Sequence, residues 1–146
     1  MRPDNSSVLI RHSDTCLRGS QFLVLLDQDV FPTGELIPAG DFFDKPLGGR
    51  FVDDCFVDLQ RGADGSATAE VIDPAAKYGL RVKALSPEIT AFQMYAPPDK
   101  PFVAIETQFN WADPYSPVWK GRDTGMKVLK PGESVTYSVR LEIFQP

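Results

Sequence analysis

Residues 101–114 read PFVAIETQFNWADP, and the way this stretch is read decides the fold. It sets one carboxylate, Glu106, inside an apolar run of strand-like composition. Phe102, Val103, Ala104 and Ile105 precede it, and Phe109 and Trp111 follow. In an extended strand side chains alternate between faces. Phe102, Ala104, Glu106 and Gln108 therefore share one face, and Val103, Ile105, Thr107 and Phe109 the other. An ionised side chain is costly to bury unless it is paired or used, so Glu106 is expected either to meet a ligand or to pair with an arginine. Its face offers a carboxylate and an amide two residues apart, beside a small alanine and flanking aromatic area. A sugar hydroxyl asks for a surface of that kind: an acceptor, a mixed donor and acceptor, and an apolar wall.

The rest of the chain reads outward from this strand as more strands. Residues 134–144 alternate cleanly, with Val135, Tyr137, Val139, Leu141 and Ile143 on one face and Thr136, Ser138, Arg140 and Glu142 on the other. The segment Lys130-Pro131-Gly132-Glu133 before them is a turn. Residues 67–72 and 80–85 form a hairpin through a turn at 74–79, and Ala63-Asp64-Gly65-Ser66 makes another loop. Further strands are expected at 7–10, 21–26, 55–60, 90–95 and 102–109. The 13 prolines and 11 glycines leave no window with a sustained apolar period of 3.6 residues. The expected fold is an all-β sandwich with long loops at 31–50 and 110–126. Ligand sites on sandwiches sit on such loops or on a sheet face.

Bulk properties narrow the function. The 146 residues suit one domain spanning 1–146, able to bury roughly two-thirds of its unfolded surface. A net charge of −5 lacks the basic patch that nucleic acid or an anionic membrane requires. The apolar run at 22–26 is too short to span a bilayer. The first residues, MRPDNSSVLIRHSD, show no signal-peptide core, so a cytoplasmic address is expected. Cys16 and Cys55 lack CxxC spacing and read as free thiols of a reducing compartment. Asp27, Asp29, Asp58 and Asp123 are scattered without calcium-loop spacing, so no metal is expected. Gly48-Gly49-Arg50 is too short for a phosphate loop.

Several motifs then fall into register. IETQFNWADP at 105–114, followed by GRDTGMKVLKPGESVTYSVRLEIF at 121–144, resembles the C-terminal part of aldose 1-epimerases, the galactose mutarotases. Upstream, Phe31-Pro32-Thr33-Gly34-Glu35 with Ile37-Pro38 is similar to that family's Pro-Thr-Gly turn, and Asp41-Phe42-Phe43-Asp44 to its following Phe-Asp segment. Asp53-Asp54-Cys55-Phe56 resembles its Asp-His-x-Phe motif, and Gln93-Met94-Tyr95 its Gln-x-Tyr strand. The order is consistent over residues 25–144.

The resemblance implies a supersandwich β fold, of which this chain carries the C-terminal half, and a cleft that takes a hexose or other aldose, free or phosphorylated. It implies interconversion of α and β anomers without a cofactor. Carried over by position, Glu106 is the base that takes the anomeric hydroxyl proton, and Asp53 and Gln93 bind sugar hydroxyls. Gln108 joins them on the face of Glu106. Bland alternatives stand beside these roles: Asp53 as a turn aspartate just before a strand, Gln93 as a structural amide bonded to a neighbouring strand, Trp111 and Trp119 as packing anchors rather than sugar-stacking rings. The family is about twice this length, and its first half supplies an arginine and two histidines. The single histidine here, His12, stands in Arg11-His12-Ser13, a different context. Two further expectations follow: a non-catalytic carbohydrate-binding or regulatory module, and a homodimer or partner chain that completes the sheet.

Overall fold

A computed structural model describes residues 9–11, 22–40, 42 and 46–146 of the chain. Within these residues the protein is built from strands: β1 (Leu9–Arg11), β2 (Phe22–Leu26), β3 (Pro32–Pro38), β4 (Val52–Val57), β5 (Ala67–Asp73), β6 (Tyr78–Ala84), β7 (Ala91–Ala96), β8 (Ala104–Gln108) and β9 (Val139–Phe144). A single 3-10 turn, Pro117–Trp119, interrupts the long loop after β8. All pairings are antiparallel. One sheet has four strands in the order β1-β5-β6-β9, the other five in the order β3-β2-β4-β7-β8. The expected all-β sandwich is what the residues form.

Alternation explains how the layers meet. Ala67, Ala69, Val82 and Ala84 point inward from the four-stranded sheet. Val52, Phe56, Phe92, Met94 and Ala96 point inward from the other, and together they make the main core. Small residues on one sheet face large ones on the other, which lets the layers interdigitate at close-packed density. Phe42 caps this core edge-on to Phe56 at 4.8 Å between ring centroids, and the Arg50 guanidinium lies over Phe42 at 5.2 Å. Arg61 ties the loops at one end together. Its two terminal nitrogens donate to the carbonyls of Gly65, Ala84, Ser86, Pro87 and Ile89 at 2.7–3.3 Å.

Three sequence expectations are corrected. The segment 31–50 is not wholly loop, because residues 32–38 form β3. Prolines bracket this strand, which is tolerated because β3 is the outermost strand of its sheet. The strand expected at 55–60 runs instead from Val52 to Val57 and stops where Asp58 takes the left-handed conformation (φ 59°). Residues 134–138 alternate in sequence, but pairing with β6 as a strand begins only at Val139. The turn at 130–133 forms as expected: Glu133 N–H donates to Lys130 O at 3.0 Å, and the Glu133 carboxylate accepts from Lys130 N–H.

Candidate functional site

The outer face of the five-stranded sheet has two halves. On β4 the outward residues are Asp53, Cys55 and Val57; on β7 they are Ala91, Gln93 and Tyr95; on β8 they are Ala104, Glu106 and Gln108. Over one half, the loop after β8 folds back. Trp111 and Trp119 meet edge-on at 5.3 Å and pack on Val24, Cys55, Val57 and Ala91. The Trp119 indole N–H is shared between the carbonyls of Ala112 (3.2 Å) and Asp113 (3.0 Å). Both tryptophans are buried, so the packing-anchor reading holds for each of them. The Cys55 thiol lies beneath this cover, free and buried, and burial pushes its pKa up to about 11.

The loop closes there because two glycines admit it. Gly125 has φ +75°, and a Cβ on it would stand 2.2 Å from Phe109 O and from Thr90 Oγ1. Gly34 on β3 has φ +87°, and a Cβ there would stand 2.6 Å from Val118 O in the 3-10 turn. Both positions combine a left-handed backbone with a close approach, and side chains other than hydrogen are excluded on both counts.

Among the described residues nothing covers the other half of the face, and three of the sequence-predicted residues come together on it. Gln93 lies directly opposite Glu106 in the β7–β8 register, a position that puts Cβ atoms roughly 5 Å apart. Gln93 Nε2 donates to Asp53 Oδ1 on β4 at 2.7 Å. Asp53, Gln93 and Glu106 thus form a row across three adjacent strands. The amide of Gln93 has its NH₂ group toward Asp53, and its carbonyl oxygen is a further acceptor. Gln93 therefore makes the structural bond of the plainer reading and sits in the row as well. Gln108 is on the same face one step along β8, opposite Ala91. Asp53 is a strand residue rather than a turn residue, opposite Tyr95.

Glu106 departs from the sequence reading in one respect. It is exposed, and among the described residues no ion pair reaches it. The arginine-paired alternative is absent from these residues. An aromatic row borders the polar one. Tyr95 meets Phe51 edge-on at 6.0 Å and Phe102 at 6.1 Å. Phe51 and Phe102 keep 59% and 47% of their surface in solvent. Phe102 and Tyr95 stand in strand-like runs legible in the sequence, whereas Phe51 does not. The available signal was its parity: with β4 beginning at Val52, Phe51 falls on the face of Asp53.

A pocket of about 240 Å³ lies elsewhere, at the end of the sheet lined by Asp58, Arg61, Ile89, Thr90, Trp111 and Asp123. Its polar groups serve the loops: Arg61 is occupied by carbonyls, and Asp123 accepts from Gly125 N–H at 2.8 Å. Among the described residues no group of three or more His, Cys, Asp or Glu side chains could hold a metal ion, and no helix is long and apolar enough to cross a membrane. His12 and Cys16 lie outside the described residues.

This architecture is that of a known fold. The chain superposes on a galactose mutarotase-like protein from Clostridium acetobutylicum with a TM-score of 0.74 at 18% sequence identity, over 97% of this chain. The match covers 43% of that protein, so the chain spans less than half of its length. No protein-family model and no curated protein sequence matches the chain. The fold is therefore galactose mutarotase-like.

Proposed function

We propose that the uncovered half of the five-stranded sheet binds a pyranose, and that Glu106 acts there as the base that interconverts its anomers. The observation that carries this reading is the row Asp53–Gln93–Glu106: two carboxylates flank one oriented amide, beside the rings of Tyr95, Phe51 and Phe102. A pyranose has hydroxyls at its rim and apolar C–H surface on its faces. Acceptors at Asp53 and Glu106 and the Gln93 carbonyl suit the first, and exposed aromatic rings suit the second. The likeness in fold to a galactose mutarotase-like protein supports the same class of ligand.

In the reaction, the Glu106 carboxylate takes the proton from the C1 hydroxyl while the ring oxygen gains one from solvent water, which takes it back when the ring recloses. The C1–O5 bond breaks to give the open-chain aldehyde. Rotation about C1–C2 and reclosure on the other face yield the second anomer, and Glu106 returns its proton to the new C1 oxygen. Asp53 and Gln93 hold the remaining hydroxyls so that the ring recloses in place. The decisive measurement is polarimetry, or NMR exchange, on freshly dissolved α-galactose and α-glucose. The protein should accelerate mutarotation, and Glu106→Gln should lower that acceleration by about 10²–10⁴-fold. An unchanged rate in Glu106→Gln removes the assignment.

A second reading rests on a separate observation: the chain holds one histidine, His12. Protonation of the ring oxygen calls for an acid near neutrality, the role imidazole fills best. In this reading the same row is a carbohydrate-binding or regulatory surface without turnover, or one part of a split epimerase. NMR titration with hexoses separates the two: shifts at Asp53 and Glu106 without catalysed mutarotation give the binding module.

A further inference from the structure

We propose that β9 pairs with β9 of a second copy of this chain about a two-fold axis through Leu141, joining two four-stranded sheets into one of eight. Among the described residues β9 is the last strand of its sheet, and an unprotected strand edge is a template for pairing. Its side chains are conspicuously open: Leu141 is 67% exposed and Ile143 81%, although both belong to the apolar face of the strand. Arg140 lies opposite Lys83 in the β6–β9 register, a like-charged neighbour, and among the described residues no ion pair includes Arg140.

Backbone geometry selects the register. Leu85 N–H donates to Ser138 O at 3.0 Å, and directly hydrogen-bonded pairs recur every second residue of an antiparallel ladder. Arg140, Glu142 and Phe144 therefore turn their N–H and C=O groups toward β6, while Val139, Leu141 and Ile143 turn theirs to the free edge. A two-fold axis between residues would oppose an outward group to an inward one, so the axis passes through a residue. Centred on Arg140 it would oppose Arg140 to itself, and centred on Glu142 it would oppose Glu142 to itself. Centred on Leu141 it opposes Arg140 to Glu142 twice, Val139 to Ile143 twice, and Leu141 to Leu141. Only this arrangement matches charge with charge, apolar with apolar and donor with acceptor at once. Glu142 already receives Arg81 at 3.1 Å, and Arg81 also holds the buried Glu70 at 2.5 Å. Arg140 of the second copy would approach the same carboxylate from its free side.

Sedimentation equilibrium on the full chain at micromolar concentration tests this. The expected result is a reversible dimer whose Kd rises about tenfold in Arg140→Glu, two attractive pairs having become repulsive, and recovers in Arg140→Glu/Glu142→Arg. A second measurement leaves every charge in place. Leu141→Cys in a Cys16→Ser background should oxidise to a covalent dimer, because residues facing one another across the axis in a bonded pair sit about 5.5 Å apart at Cα, within disulfide reach. A monodisperse monomer, a dimer indifferent to Arg140→Glu, or a Leu141→Cys chain that fails to cross-link would each overturn the proposal, and the last two would assign the contact to another surface or another partner.

Discussion

One sheet face carries two opposite designs side by side. Where the Trp111–Trp119 loop lies on it, the face is apolar and closed, and the Trp119 indole N–H is turned to the carbonyls of Ala112 and Asp113. A strand's width away, the same β4 and β7 present Asp53, Gln93 and Tyr95, with Glu106 beyond them on β8, and nothing among the described residues covers them. The strands, spacing and pleat are common to both halves. What differs is the outward residue at alternate positions, Cys55, Val57 and Ala91 against Asp53, Gln93 and Tyr95. The first set is buried and the second stays open, and ligand contact is the use proposed for the second, so mutation should separate the halves by what each variant loses.

The largest effect falls on the covered half. Trp119 is buried with its N–H bonded, and Trp119→Ala removes both the ring and the partner of two carbonyls. A loss of about 3–5 kcal/mol in unfolding free energy is expected from urea denaturation. Glu106→Gln in the open half should move the same curve by no more than about 0.5 kcal/mol, since the carboxylate is exposed. If the two variants destabilise equally, the division of the face is wrong. Gly125→Ala comes next. It adds a Cβ where there is no room and forces a left-handed backbone on alanine. A cost of about 1–3 kcal/mol is expected from the strain alone, together with faster alkylation of Cys55 as its cover loosens. In the native protein that thiol, raised to about 11 and buried, should resist iodoacetamide at neutral pH.

How far the sequence discloses this division depends on the local pattern. Glu106 and Gln93 were legible because each sits in an unbroken alternating run, and parity alone assigns the face. The row they form with Asp53 needed the register as well. Asp53-Asp54 look like turn residues in one dimension, and only pairing across Val52–Val57 turns them into strand residues on opposite faces. β3 was hidden by Pro32, Gly34 and Pro38, each a breaker by composition and each acceptable on an outer strand whose free side accommodates the missing N–H. The exposure of Glu106 could not be read at all. Its apolar neighbours Ile105 and Phe109 belong to the other face, and hydrophobic company along the chain does not mean hydrophobic company in space.

The smallest expected effect bears on the boundary between the faces. Asp54 is adjacent to Asp53 but points away from it, partly buried on the inner side of the sheet. Loss of water raises its pKa, the negative charge of Asp53 raises it further, and Arg50 offsets part of that rise. Because the folded value lies above the ordinary 3.8, the native state keeps a proton that the unfolded chain has released. Stability therefore falls as pH rises from 3.8 through the folded value, and the penalty is constant above it. Asp54→Asn should stabilise the protein at neutral pH by less than about 1 kcal/mol and give no gain below the ordinary carboxylate range. Asp53→Asn should lower the pKa of Asp54, measurable by carboxyl NMR, because it removes the like charge. The titration of Asp54 therefore reports from inside the sheet on the charge at position 53 on the face outside it. Should Asp54 titrate identically with Asp53 present and replaced, the two faces are electrostatically independent.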